Sequence, residues 1–425
     1  MMHIYKVVLL TILTVCLQAS AWAECTPGVY SNSQHNVVVI TTTIETPSAG
    51  FKYLMLDGRF GTTGSASKPF RCHNNFITLN GDKETSHRLA PIALIRTKTT
   101  FTSAGAVLVG ELIEPAGTIG ESRPLVVMVH GSEQSPAIGN SRVLLLAGLG
   151  ISVFVYDKRG TGQSSGIYTQ NFDLLAEDAA TAMTHVRTLA AGRFGRAGYW
   201  GASQGGWVAP LAATNSHADF VVVGYGLVAS PIEEDLDQML LEARQQKLPS
   251  EHVNQIRRLS EVTAKILMSH FADGLNELQA LRQEYTTKPW TNSINGEYSG
   301  AMLRMSDADL QRIGRAVFDN LELIWDYESS QVLETIQVPL LWIAAKNDRE
   351  APSERTLRQL AKLKKCNSKL QVYVFPNTDH GMYEYAEMSD GTRHFTRVTN
   401  GYFRLVAEWI QENKKPFTGK AFSLN

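Results

Sequence analysis

A serine with glycine two residues away on either side stands at Gly201-Ala202-Ser203-Gln204-Gly205, directly after the apolar run Ala197 to Trp200. Such a pentapeptide fits a strand that turns sharply into a helix, where side chains two positions from the serine would collide and glycine does not. The turn lifts the hydroxyl above the sheet and sets the Gln204 N–H at a helix N-terminus, a place suited to a developing negative charge. The chemistry on offer is nucleophilic acyl transfer. It also requires a base, an acid that orients the base, and two donors for an oxyanion.

Candidates for those roles follow other apolar runs. Asp348 comes just after Leu340 to Ala345, and His380 comes just after Gln371 to Phe375. Asp348 is therefore read as the acid and His380 as the base, in the chain order serine, acid, histidine. Val127-Met128-Val129 leads into His130-Gly131-Ser132, and the Ser132 N–H is the expected second donor beside that of Gln204. Two other carboxylates compete for the acid role. Asp379 adjoins His380 and reads as a turn-capping residue, because adjacent side chains point apart; Asp178 is the other. His130 reads as a hydrogen-bonding residue beneath the turn. Asp157-Lys158-Arg159-Gly160-Thr161-Gly162 lacks the Gly-Lys-Ser/Thr of a phosphate-binding loop and reads as a structural turn. No His, Cys and Asp cluster has metal-ligand spacing, so no metal or other cofactor is expected.

These residues need a scaffold of buried strands. Leu125 to Val129, Ser152 to Tyr156, Ala197 to Trp200, Phe220 to Val223, Leu340 to Ala344 and Leu370 to Phe375 are continuous apolar runs, as in a parallel sheet covered on both faces. Val107-Leu108-Val109 reads as a hairpin strand entering that sheet. Helical spacing appears over Phe172 to Arg187 and over Thr396 to Asn413 (Val398, Tyr402, Leu405, Trp409), which makes the class α/β. Between about Glu233 and Glu334 only helical patterns occur, with a capping signal at Ser306-Asp307-Ala308-Asp309. An insertion there emerges at the strand ends where ligands bind, so it is read as a cap. Its aromatics Trp290, Trp325 and Tyr327 are candidates for the pocket wall or for the cap's own core. The acidic run Glu233-Glu234-Asp235-Leu236-Asp237 reads as a solvated first turn, favourable to the helix dipole, or as a grip for a substrate amine. Ahead of the main sheet, Cys25 to Leu94 reads as antiparallel β structure. The expected division is 1–23 signal peptide, 24–95 small N-terminal β domain, 96–232 first part of the core, 233–334 helical cap and 335–425 second part of the core.

The net charge of −1 over 425 residues offers no basic footprint for nucleic acid. A basic start, the apolar run Val7 to Leu17 and Ala21-Trp22-Ala23 have the layout of a cleavable secretory signal, too short to span a bilayer. The expectation is an exported, periplasmic or secreted protein with no stable membrane insertion after cleavage. In an oxidising compartment Cys25 and Cys72 are the natural disulfide pair, leaving Cys366 as a lone thiol near a helix end.

The strings His130-Gly131-Ser132, Asp157-Lys158-Arg159-Gly160-Thr161-Gly162-Gln163-Ser164, Gly201-Ala202-Ser203-Gln204-Gly205-Gly206, Asp348 and Asp379-His380-Gly381 together resemble the α/β-hydrolase superfamily. They are most similar to bacterial exported members with a helical cap, across the serine-aminopeptidase-like, prolyl-oligopeptidase-like and acyl-thioesterase-like branches. The resemblance spans residues 98 to 425; the N-terminal β region departs from the minimal pattern. It implies an α/β-hydrolase fold with a mostly parallel central sheet, a helical cap insertion and a small added β domain. It also implies an exported serine hydrolase cleaving carboxylic esters, or alternatively an exopeptidase on short peptides with the same triad. A thioesterase acting on CoA fits less well, because an exported protein meets little CoA. A non-catalytic binding module is disfavoured, because the chain keeps every catalytic element.

Overall fold

The computed structural model describes residues 25–42, 50–65, 67–80, 87–117 and 123–424. The expected signal segment lies outside the described residues.

Strands β1 (Gly28–Ser31), β2 (Val37–Thr41), β3 (Lys52–Met55), β4 (Phe60–Thr62), β5 (Phe70–His73), β6 (Phe76–Leu79) and β7 (His87–Pro91) form an antiparallel sheet in the order β4-β3-β2-β1-β7-β6-β5. The β-branched run of β2 is buried on both faces. Val38 and Ile40 join Tyr53, Phe70 and Leu89 in a small core of the sheet's own. Val37 and Val39 point the other way, into the core of the main domain. A disulfide links Cys25 to Cys72 on β5, across a sequence separation of 47. Closing a loop of that length stabilises by about 4 kcal/mol in the chain-entropy account.

The main sheet takes in the hairpin β8 (Leu94–Ser103) and β9 (Ala106–Pro115), then β10 (Leu125–Val129), β11 (Ser152–Tyr156), β12 (Ala197–Ala202), β13 (Val221–Gly224), β14 (Leu340–Ala345) and β15 (Leu370–Phe375). A short sheet of β16 (Thr378–Asp379), β17 (Tyr383–Glu387) and β18 (Arg393–Val398) follows, and β19 (Phe422–Ser423) closes one edge. The main order is β19-β15-β14-β13-β12-β10-β11-β9-β8. β10 to β15 pair in parallel, and β8, β9 and β19 run antiparallel. Every residue of β10, β11, β12, β13 and β14 is buried, as strands covered by helices on both faces must be.

Helices α1 (Ser141–Gly148), α2 (Phe172–Leu189) and α3 (Gly205–Thr214) alternate with the early strands. Asn140 and Asn171 cap the first two by accepting N–H bonds from Arg142 and Leu174. Between β13 and β14 lie α4 (Pro231–Gln245), α5 (Ser250–Met268), α6 (Leu275–Tyr285), α7 (Ser299–Arg304), α8 (Asp307–Phe318) and α9 (Ser329–Thr335). Ser230 opens α4 with a complete capping box to Glu233, and Pro231 occupies the first turn, where its missing N–H costs nothing. These helices enclose a core of their own around Met239, Ile256, Ile266 and Trp290. The remaining helices are α10 (Ser353–Cys366) and α11 (Tyr402–Ile410), and Cys366 is exposed at the end of α10.

One expected element differs. The helical spacing from Thr396 to Asn413 spans a strand and a shorter helix. Arg393 to Val398 pairs with β17, and the Val398 N–H donates to Gly58 O in the N-terminal sheet (3.0 Å). The helix starts only after Gly401, whose φ of 101° is a left-handed conformation that glycine adopts without strain. Among the described residues no helix is long and apolar enough to cross a membrane.

Candidate active site

Ser203 occupies the bend between β12 and α3 with φ 52°, a left-handed conformation for a residue that carries a side chain. Holding it there costs on the order of 1–3 kcal/mol, which the surroundings must supply. They do so by close packing of backbone. A Cβ at Gly201 would lie 2.1 Å from Gly205 O, and one at Gly205 would lie 2.2 Å from Val129 O, so only glycine fits at either position. The Ser203 N–H is anchored to Gly224 O on the neighbouring strand (3.1 Å).

Asp348 and His380 come from the loops after β14 and β15. Asp348 is buried; its Oδ1 accepts the N–H groups of Ala351 (2.8 Å) and Glu350 (3.1 Å). Its Oδ2 lies 2.9 Å from His380 Nδ1, and His380 Nε2 lies 3.0 Å from Ser203 Oγ. With Nδ1–H donating to the carboxylate, Nε2 is left to accept the serine proton. Asp379 is turned elsewhere. It accepts the N–H groups of His380 and Arg349 (both 2.8 Å) and a bond from Arg393 (2.6 Å). Asp178 is the ion-pair partner of Arg159 (2.6 Å).

A cavity of about 280 Å³ separates this line from the cap, bounded among others by Ser132, Gln204, Glu234, Glu297, Trp325 and Glu350. The N–H groups of Ser132 and Gln204 donate to no acceptor among the described residues, so both remain open to a ligand. The three aromatics of the cap interval part company. Trp325 walls the cavity, Trp290 is buried in the cap's own core, and Tyr327 packs edge-on to Phe172 in the main core. His130 is buried beneath its turn, with Nδ1 3.5 Å from Glu133. Asp157 serves its own turn by accepting the N–H groups of Ala137, Ile138 and Gln163.

The acidic first turn of α4 is not a solvated face. Asp235 is buried, taking the Tyr298 and Ser299 N–H groups and the Ser299 hydroxyl. Glu233 and Asp237 both bind Arg355 of α10. Glu234 faces the cavity, because this turn of the helix lies over Ser203. Enclosure there, then the nearby charge of Glu297, push the Glu234 carboxyl well above the usual range. Enclosure and the charges of Glu350 and Asp235 push Glu297 up to about 7. Glu350 stands 3.5 Å from His380 Nε2. Burial opposes a charged His380, but Asp348, Glu350 and Glu234 outweigh it and raise the imidazole to about 9.

Glu297 and Glu350 had no role in the sequence reading, and neither did Arg142. Glu350 carried a weak signal, two residues past Asp348 on the same loop; Glu297 carried none. Arg142 lies behind the histidine, donating to Tyr225 Oη (2.6 Å) and Gly381 O (3.3 Å). The Tyr225 ring stands edge-on to His380, centroids 5.0 Å apart.

Residues 120–294 match the family model of serine aminopeptidases, S33. The match includes Ser203 and ends before Asp348 and His380. No curated protein matches the sequence. Among solved structures, an esterase of Pyrococcus furiosus is 14% identical over 68% of this chain and 83% of its own, with a TM-score of 0.43. An acylaminoacyl peptidase of Pyrococcus horikoshii is 15% identical over 90% and 54%, with a TM-score of 0.45. A proline iminopeptidase of Mycobacterium smegmatis is 16% identical over 74% and 98%, with a TM-score of 0.44. Residues 120–294 are thus similar to the serine aminopeptidases, and the mostly parallel sheet with its strained serine elbow and inserted helices has the α/β-hydrolase fold.

Proposed function

We propose that the protein is an exported serine hydrolase that cleaves carboxylic esters through an acyl-enzyme. The observation that carries this reading is the hydrogen-bonded line Asp348–His380–Ser203 at the mouth of a cavity. Ser203 Oγ attacks the acyl carbon as its proton passes to His380 Nε2, and Asp348 steadies the imidazolium. The N–H groups of Ser132 and Gln204 take the charge that develops on the carbonyl oxygen. His380 returns its proton to the departing alcohol, then draws one from the water that frees the acyl group. Export is supported by the leader-like sequence and by the Cys25–Cys72 disulfide.

One observation favours the second reading, an exopeptidase on short peptides. Glu234, Glu297 and Glu350 line the cavity beside the serine, and an entering ammonium would favour the ionised forms of the raised Glu234 and Glu297, whereas a free carboxylate would not. The deciding experiment is a panel of acyl nitrophenyl esters against aminoacyl nitroanilides, each aminoacyl compound paired with its N-acetyl form. Aminoacyl compounds that outrun their N-acetyl forms, and lose that lead in Glu234→Gln, establish the exopeptidase. Equal rates for each pair remove it and leave the esterase.

The same carboxylates predict a pH profile. His380 works as a base only when neutral, and its pKa is raised to about 9. With an uncharged ester, kcat/KM is expected to climb as pH rises from neutral toward about 9. Removing one negative charge in Glu350→Gln lets the imidazolium lose its proton more easily, so the limb moves to lower pH. A limb that stays put or moves up in pH would contradict this account of the site.

A further inference from the structure

The loop after β10 is held from behind by two side chains of the neighbouring 157–168 segment. β10 lies between β12, which carries Ser203, and β11, which leads into Lys158. From the β11 side, the buried Lys158 Nζ donates to Gly131 O at 2.6 Å. The Tyr168 hydroxyl donates to Ser132 O, the next carbonyl along. Gln170 Nε2 donates to the Tyr168 hydroxyl in turn (3.3 Å), and the Lys158 ammonium sits 5.1 Å from the centre of the Tyr168 ring. From the β12 side Ser203 presses close, its Cβ only 3.2 Å from where a Cβ of Gly131 would stand.

Peptide planarity turns these contacts into an orientation. In a trans peptide the N–H points opposite to the carbonyl. With Gly131 O drawn toward Lys158 on one side, the Ser132 N–H of the same peptide must face the other side, where Ser203 lies. Reversing that peptide would present a carbonyl to the oxyanion and remove the donor. A buried ammonium bonded to a backbone carbonyl is costly to maintain, and an apolar side chain of similar length would fill the same space without that cost. Burial pulls the Lys158 amine down to about 8, but protonated or neutral it keeps N–H groups to donate.

We propose that Lys158 and Tyr168 are positioning residues that lock the two peptides of the oxyanion loop with their carbonyls turned away, so that the Ser132 N–H is already aimed before substrate arrives. The proposal rests on the serine-hydrolase reading above. It also ties the oxyanion loop to the cap, because the residues after Tyr168 bond across to it: Thr169 Oγ1 and Gln170 N–H both donate to Leu321 O (2.9 and 2.8 Å).

The test uses the full-length protein with Lys158→Met, Tyr168→Phe and Ser203→Ala measured side by side. In Lys158→Met, kcat on an ester is expected to fall about 10²-fold, the loss that follows when one oxyanion donor is misplaced. In Tyr168→Phe the expected fall is about tenfold, because one of the two clamps remains. KM should change less than about twofold in both, since the donor acts on the transition state. Affinity for an alkylboronic acid, which forms a tetrahedral adduct on the serine, should weaken by the same factors, while inhibition by the product alcohol, which makes no oxyanion, stays as in the parent. A merely structural role would not divide the two inhibitors in this way. Folded variants with parental kcat and boronate affinity, or with losses confined to KM, overturn the proposal. If Lys158→Met does not fold, Tyr168→Phe, which keeps the ring, decides alone. An active Ser203→Ala would instead bring down the serine-hydrolase reading itself. An inactive Ser203→Ala beside parental Lys158→Met and Tyr168→Phe would bring down only the clamp.

Discussion

Ser203→Ala and His380→Ala are each expected to lower kcat by at least about 10⁴-fold, with little added loss when the two are combined, because nucleophile and base act as one unit. The 3.0 Å contact between His380 Nε2 and Ser203 Oγ is the basis of that non-additivity. Asp348→Asn should be severe but milder than either, since an amide can still sit beside Nδ1 while favouring the wrong tautomer. Asp379→Asn is the informative control. Asp379 holds the His380 and Arg349 N–H groups and Arg393, so its replacement should loosen the loop without removing the orienting acid. Steady-state kinetics on one ester decide the matter. An Asp379→Asn protein more impaired than Asp348→Asn would reverse the assignment of the acid.

The second large effect is on stability. Arg159 and Asp178 form a two-pronged pair (2.8 and 2.6 Å) with side chains 7% and 1% exposed. Asp178→Ala strands a buried guanidinium, and its expected cost is about 3–5 kcal/mol. Replacing both partners at once, Arg159→Met with Asp178→Leu, removes the stranded charge and should recover most of that loss. Chemical unfolding followed by tryptophan fluorescence checks both halves. If the single and double replacements are equally destabilised, the penalty lies in lost packing and not in the uncompensated charge.

What could be read from the chain divides along the range of the forces involved. Ser203, Asp348 and His380 each follow an apolar run, and a strand end is a local signal, so three residues separated by up to 177 positions could be singled out together. Their meeting within 3.0 Å follows from the parallel strands β12, β14 and β15 ending at one edge of the sheet, with β13 between the first two. Glu297 had no such marker and Glu350 only its place two residues past Asp348, because only the docking of the cap brings a residue after α6 beside one after β14. Glu234 was seen, but its surroundings were misjudged; a first turn rich in carboxylates looks solvated until the cavity beneath it is known. The strand at Arg393 to Val398 was hidden for a related reason. Val398, Tyr402 and Leu405 share a helical spacing by coincidence, and the pairing that makes β18 a strand lies in β17 and the N-terminal sheet.

The N-terminal sheet contributes none of the residues of the Asp348–His380–Ser203 line, yet it is no appendage. Val29, Val37, Val39 and Leu54 pack in the same apolar cluster as Leu145 of α1 and Trp200 of β12, two residues ahead of the serine elbow's alanine. Gly58 also holds the hairpin that follows His380. Opening either part exposes apolar surface belonging to the other, so the two lose structure together as one cooperative unit. A cross-link at the rim of the sheet then lengthens the lifetime of the whole molecule, the serine elbow included. Under the export proposed above, where nothing would refold the protein, resistance to partial opening and to proteolysis matters more than equilibrium stability. The added sheet serves as a brake on unfolding for a catalyst that it never touches chemically.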